Sequence, residues 1–202
     1  MGRVKAGRRG EPDDSTSFDA SGLKLKHLRT KGELNVAEAR NISRAITKYL
    51  AGTPSKRKAP FSLDWSYKLH REMFCDVWRW AGRPRTSETN LGVPSYQIAP
   101  SLKDLFDDLD AWSRHETYPL EEQAVRLHHR AVAIHPFNNG NGRWARMLAN
   151  IWLRQHKAAL VRWPDNSIGR EGVFRKEYIN AIKDADRGNL APLSRLHREY
   201  SS

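Results

Sequence analysis

Apolar residues recur at helical spacing along most of the chain, in segments separated by short polar or proline-rich stretches. The segment NVAEARNISRAITKYLAG places Val36, Ala39, Ile42, Ala45, Ile46 and Leu50 at such spacing, predicting an amphipathic helix with Asn35 as N-cap, Glu38 three residues on and Gly52 as its stop. SLDWSYKLHREMFCDVWRWAG predicts a second helix, ending at Gly82, that turns Leu69, Met73, Phe74, Val77, Trp78 and Trp80 to the core. Between Arg83 and Pro100 the pattern breaks: three prolines and the turn signal Asn90-Leu91-Gly92 predict a loop or short β-hairpin. Helices follow in SLKDLFDDLDAWSRH, capped by Ser101, in LEEQAVRLHHRAVAIH, in GRWARMLANIWLRQHKAAL and over about 171–186. NLAPLSRLHREY supplies a last turn or two. With no internal repeat and no dividing linker, the expected architecture is one all-α domain, a helical bundle carrying a single small hairpin.

Length and composition fit that picture. A chain of 202 residues, 39% hydrophobic, builds one packed domain. Residues 1–22 are polar and expected to form a flexible tail, with the domain spanning 23–200. No apolar run approaches the roughly 18 residues of a membrane span, and the basic N-terminus lacks the apolar core of a secretory signal. Cys75 is the single cysteine, which excludes an intrachain disulfide; a cytoplasmic location is expected. The net charge of +12 attracts polyanions, but the arginines are scattered and match no DNA-reading motif, so nucleic acid is not the expected main partner.

The chemistry concentrates in AIHPFNNGNGRWAR, residues 133–146. Gly140-Asn141-Gly142-Arg143 stands just before a helix, where glycines allow close backbone approach and the free N–H groups of the first turn favour an anion. Arg143 and Arg146, three residues apart, place two guanidinium groups beside that cradle, and the Asn141 amide is available to a phosphate oxygen. His135 ends the preceding helix close by, with a titration range suited to taking a proton from a hydroxyl near neutral pH. Pro136 stiffens the turn and Phe137 anchors it. The set describes nucleotidyl or phosphoryl transfer: a base, an oxyanion cradle and two charge clamps. By contrast, His128 and His129 lack metal-site spacing, and the tryptophans sit at core spacing. Cys75 reads as buried and apolar; Tyr178 and Asn180 are candidates for a purine pocket.

These residues resemble the Fic/DOC family signature, His-x-Phe-x-(Asp/Glu)-Gly-Asn-Gly-Arg-x-x-Arg, across residues 135–146, and the wider layout resembles the family from about 23 to 197, most narrowly the mobile mystery protein B group. The resemblance implies a Fic-type helical bundle with a β-hairpin flap. It also implies a protein adenylyltransferase that moves AMP from ATP to a Ser, Thr or Tyr hydroxyl. On that basis His135 is the base, Gly140, Asn141 and Gly142 the anion hole, Arg143 and Arg146 the clamps on the β- and γ-phosphates, and Phe137 structural. The target protein would dock by strand addition on the flap near residues 86–98. Where the family has an acid for Mg²⁺ or Mn²⁺, this chain has Asn139, a weaker ligand. That departure keeps two alternatives open: another transfer or AMP removal on the same scaffold, or a binding module without catalysis. The resemblance also implies an inhibitory glutamate, for which Glu33 in RTKGELN is the candidate, paired with Arg146, although its spacing from Thr30 is one residue short. A toxin-like system would add a separate inhibitor protein.

Overall fold

The computed structural model describes residues 22–164 and 171–202, so the expected tail lies, but for Gly22, outside the described residues. Seven α-helices occur among them: α1 Lys31–Leu50, α2 Leu63–Phe74, α3 Ile98–Arg114, α4 Leu120–Ile134, α5 Asn141–Gln155, α6 Glu171–Asp186 and α7 Ala191–Glu199. The all-α expectation holds. No helix among the described residues is long and apolar enough to cross a membrane.

Helix α5 is the axis of the core. Trp144, Ala145, Leu148, Ala149, Ile151, Trp152 and Leu153 are all buried, because α1, α2 and α4 pack around it. The main cluster joins these side chains to Leu69, Met73 and Phe74 of α2, Leu102, Leu105 and Leu109 of α3, and Leu127 and Ala131 of α4. A smaller cluster of Val125, Ala181, Leu193 and Leu196 seats α6 and α7 against α4. Burying side chains of this size contributes about 1.5–3 kcal/mol each, so α5 is held far more firmly than helix propensity alone could hold it.

Helix α1 starts earlier than its apolar pattern suggested. Its N-cap is Thr30, not Asn35: Thr30 Oγ1 accepts from Glu33 N (3.2 Å), and the Glu33 carboxylate accepts from Thr30 N (3.0 Å) and Arg29 N (2.7 Å). This reciprocal pair satisfies the orphan donors of the first turn. The buried stripe is Leu34, Glu38, Asn41, Ala45 and Tyr49, while Val36 and Ile46 face solvent at 59% and 44% exposure. Helix α2 stops at Phe74 instead of running to Gly82. The backbone beyond it pairs with the N-terminal segment: Lys24 N donates to Val77 O and Arg79 N to Gly22 O, both 2.8 Å, around a Leu23–Trp78 bridge. Cys75 at this corner is partly exposed, not buried as expected.

The small hairpin is not formed. Residues 83–94 run as an irregular loop into a 3-10 turn at Ser95–Gln97 and then α3, which begins three residues before the expected cap Ser101. Neither isolated β-bridge among the described residues falls in this segment. The reason is visible in the backbone hydrogen bonds: the N–H groups of both legs go to the end of α4 and the turn after it, and the legs meet each other only through side chains. Arg85 N donates to Pro136 O (2.9 Å) and Val93 N to Ile134 O (3.3 Å).

Candidate active site

The turn between α4 and α5 carries the signature, and its backbone is unusual at both ends. His135, the C-cap of α4, has φ +51°, a left-handed conformation that costs a non-glycine residue about 1 kcal/mol or more. Gly140, the N-cap of α5, has φ +81°, and a Cβ there would lie 2.7 Å from the Phe74 ring. Only glycine fits this close approach. Between them Phe137 is fully buried, stacked on His70 with ring centroids 3.6 Å apart and meeting Trp144 edge-on at 5.1 Å.

His70 fixes the turn chemically as well. Its Nδ1 accepts from Gly82 N (2.9 Å), which leaves the proton on Nε2 to donate to the Asn139 carbonyl (3.1 Å). Burial pushes its pKa down to about 3, so it remains neutral. The Asn141 side chain also serves the turn: Oδ1 accepts from Phe137 N (2.9 Å) and Nδ2 donates to Phe137 O (2.7 Å). It is therefore turned inward, away from the role of offering its amide to a phosphate. What Asn141 and Gly142 present to an anion is the free backbone N–H of the first helical turn.

His135 is half-buried at the edge of this cradle. Burial lowers its pKa from the usual imidazole value, the Arg85 guanidinium lowers it further, and a hydrogen bond to the Val132 backbone opposes both. A ring nitrogen donating to that backbone leaves the other as an acceptor, so at neutral pH the ring is a base ready for a proton.

Arg143 and Arg146 leave α5 on different sides. Arg143 reaches back to α1, where its Nη1 lies 2.6 Å from Glu38 Oε2, and its guanidinium sits 4.9 Å from the Phe74 ring centroid. Arg146 bonds the Gly142 carbonyl (3.2 Å) and stacks over Tyr178 and Trp163 at 5.2 and 5.6 Å. The candidate inhibitory Glu33 is not at the site. It caps α1, and Glu38, one helical turn and one residue further, meets the motif instead. Glu38 is buried, and its second oxygen accepts from Trp78 Nε1 at 2.6 Å.

The metal expectation also changes. Asn139 Oδ1 accepts from Gly140 N (2.6 Å), its carbonyl is held by His70, and no group of three or more His, Cys, Asp or Glu among the described residues is placed to hold an ion. The residues present do not fit a protein-built Mg²⁺ or Mn²⁺ site. His128 is likewise no ligand: fully buried, it bonds His197 (2.8 Å) and Tyr178 Oη (2.9 Å). Tyr178 thus ends a hydrogen-bonded chain from His197 through His128, its half-buried ring lying against Arg146, whereas Asn180 is exposed.

Residues 60–153 match the sequence profile described as the Fic/DOC family. The chain carries a Fic/DOC family domain. The match runs from just before α2 to near the end of α5, so the Fic signature and its supporting helices lie inside it while Glu38 and Tyr178 lie outside. Over 154 residues the chain is 31% identical to protein adenylyltransferase fic-1 of Caenorhabditis elegans, covering 73% of this chain and 28% of that relative. It therefore spans just over a quarter of that relative's length. The solved Fic-1 structure from C. elegans superimposes with a TM-score of 0.69 at 27% identity, over 89% of this chain and 52% of that one. The BepC protein of Bartonella tribocorum, solved with bound AMPPNP, shares the fold with a TM-score of 0.68 at 18% identity, over 95% of each chain.

Two residues that bear on the Fic signature escaped the sequence. Glu38 is 105 positions from Arg143 and Arg85 is 50 from His135, so no local pattern joins either pair. A signal for Glu38 existed: it is an acid on a helix whose buried face should otherwise be apolar. Arg85 gave only a basic residue between prolines and polar neighbours.

Proposed function

We propose that this chain is a protein adenylyltransferase that is held back by Glu38. A target hydroxyl gives its proton to the free His135 nitrogen while its oxygen attacks the α-phosphorus of ATP. The bond from that phosphorus to the α,β-bridging oxygen breaks, and pyrophosphate leaves. The backbone N–H groups of Asn141 and Gly142 hold phosphate oxygens, and Arg143 and Arg146 balance the charge on the departing β- and γ-phosphates. The observation that carries this reading is the placement of a neutral, partly buried His135 beside a helix start that presents free N–H groups and two guanidinium groups. ATP supply and the lone Cys75 favour the cytoplasm as the place of action. A target segment would dock along residues 86–98, where Leu91 and Tyr96 stand 66% and 76% exposed as apolar anchors. In this reading Glu38 takes the restraining role first assigned to Glu33, and it does so within the chain.

The test is transfer of label from α-³²P-ATP to protein, with γ-labelled ATP alongside. Glu38→Gly should raise α-label transfer at least tenfold, and His135→Ala added to it should abolish transfer. Label arriving only from the γ position would replace this reaction with a kinase-like one, the reading that the missing acid at 139 keeps in play.

A further inference from the structure

We propose that Arg85 is a positioning residue for His135, a buried rivet that joins the 86–94 loop to the backbone of the proposed base. The inference rests on the reading of His135 as base, but its geometry is independent of any turnover. The Arg85 side chain has no exposed surface. Its Nε donates to the His135 carbonyl (2.8 Å), Nη1 to Ser87 O (3.1 Å) and Nη2 to Val93 O. One planar guanidinium therefore satisfies three carbonyls, two from the loop and one from His135, a task lysine cannot repeat with a single ammonium at one point.

The backbone does the rest of the joining. Arg85 N and Val93 N reach Pro136 and Ile134, on either side of His135. Gly92, at φ +94°, presses so close that a Cβ would lie 2.5 Å from the His135 Cβ and 2.8 Å from both Arg85 Nη2 and the Ile134 carbonyl. His135 is held in a left-handed conformation that an isolated residue leaves, and such strain persists where surrounding contacts over-determine it. The Arg85 system supplies those contacts. The charge also acts on the imidazole: the Arg85 guanidinium lowers the His135 pKa, while Glu88 lies 3.9 Å from its Nη1 and is itself bonded to Ser95. On α5, Arg143 is committed to Glu38, and Arg146 to the Gly142 carbonyl and the Tyr178 and Trp163 rings. A shift of the loop, by a docked target or by substitution, is thereby transmitted to the base.

The experiment titrates His135 by NMR in the nucleotide-free full chain with ring-labelled histidine, assigned by His135→Gln, and compares wild type, Arg85→Lys and Arg85→Met. Removing the cation and opening the loop to water both favour the imidazolium, so Arg85→Met should move the His135 midpoint up by about 0.5 pH unit or more. Arg85→Lys, which keeps charge and loses the fork, should move it less. In the Glu38→Gly background both variants should lower kcat for AMP transfer about tenfold with KM for ATP within about twofold, and Arg85→Met should shift the acid limb of the rate profile to higher pH. If Arg85→Met does not fold, the lysine variant alone decides through its kcat against KM. An unmoved His135 midpoint with unchanged kcat in a folded variant overturns the proposal. A shifted midpoint in a chain that transfers no AMP would retire the adenylyltransferase reading and leave the positioning role standing.

Discussion

Glu38 binds two donors at once, Trp78 Nε1 and Arg143, from a position almost without solvent. While it does so, Arg143 is not available to a phosphate, and that competition is the residue-level switch in this account. Glu38→Gln keeps the Trp78 bond and weakens the hold on Arg143; it should lower stability by about 1–2 kcal/mol in urea unfolding while raising ATP affinity in calorimetry. Unchanged affinity would mean that Glu38 does not compete with the nucleotide. Asn139 raises a separate question. A carboxylate in place of its amide adds the hard ligand that the site lacks, so Asn139→Asp should tighten Mn²⁺ binding in the presence of ADP about tenfold, again by calorimetry; equal binding would show that position 139 does not meet the ion. Asn141 belongs to the turn and not to the ligand. Its replacement by Ala removes both bonds to Phe137 and should cost about 1–3 kcal/mol of unfolding free energy.

At the scale of elements, the motif turn is held by parts from elsewhere in the chain: His70 on α2, the loop through Arg85, and α1 through Glu38. Gly92→Ala tests one of these attachments. The added methyl must displace either His135 or the loop, so both the melting temperature and AMP transfer should fall, by several degrees and about tenfold. A variant with native melting and native transfer would show the close approach to be dispensable. The helices themselves are legible where apolar residues dominate the buried face, as in α3, whose buried residues Ile98, Leu102, Leu105, Phe106 and Leu109 are all apolar. On α1 Glu38 and Asn41 occupy two buried positions, so the apolar pattern alone turns the expected stripe toward the exposed Val36 and Ile46. The absence of the hairpin is not legible in the sequence, because the prolines and the turn signal Asn90-Leu91-Gly92 say nothing about where backbone donors go. Here they go to the α4–α5 turn.

At the scale of the molecule, the signature could be read from sequence because its base, glycines and arginines are contiguous, whereas the residues that restrain and position it meet it only through packing. Packing also sets the response to acid. His70 and His197 are pushed down to about 3 and His128 well below its usual value, each by burial. The unfolded chain takes up these protons near pH 6.5 and the folded one does not, so stability is full above that pH and falls as pH drops from 6.5 toward 3. Each histidine contributes a slope of about 1.4 kcal/mol per pH unit in that window. Urea unfolding between pH 7 and 5 should show this loss, and His70→Gln should flatten it; a flat wild-type profile would contradict the buried neutral assignment. The central claim is the restrained transfer of AMP, and one measurement reaches it most directly: α-³²P-ATP labelling of protein by Glu38→Gly with and without His135→Ala. The account predicts strong labelling that disappears with the histidine; labelling that survives His135→Ala would contradict it.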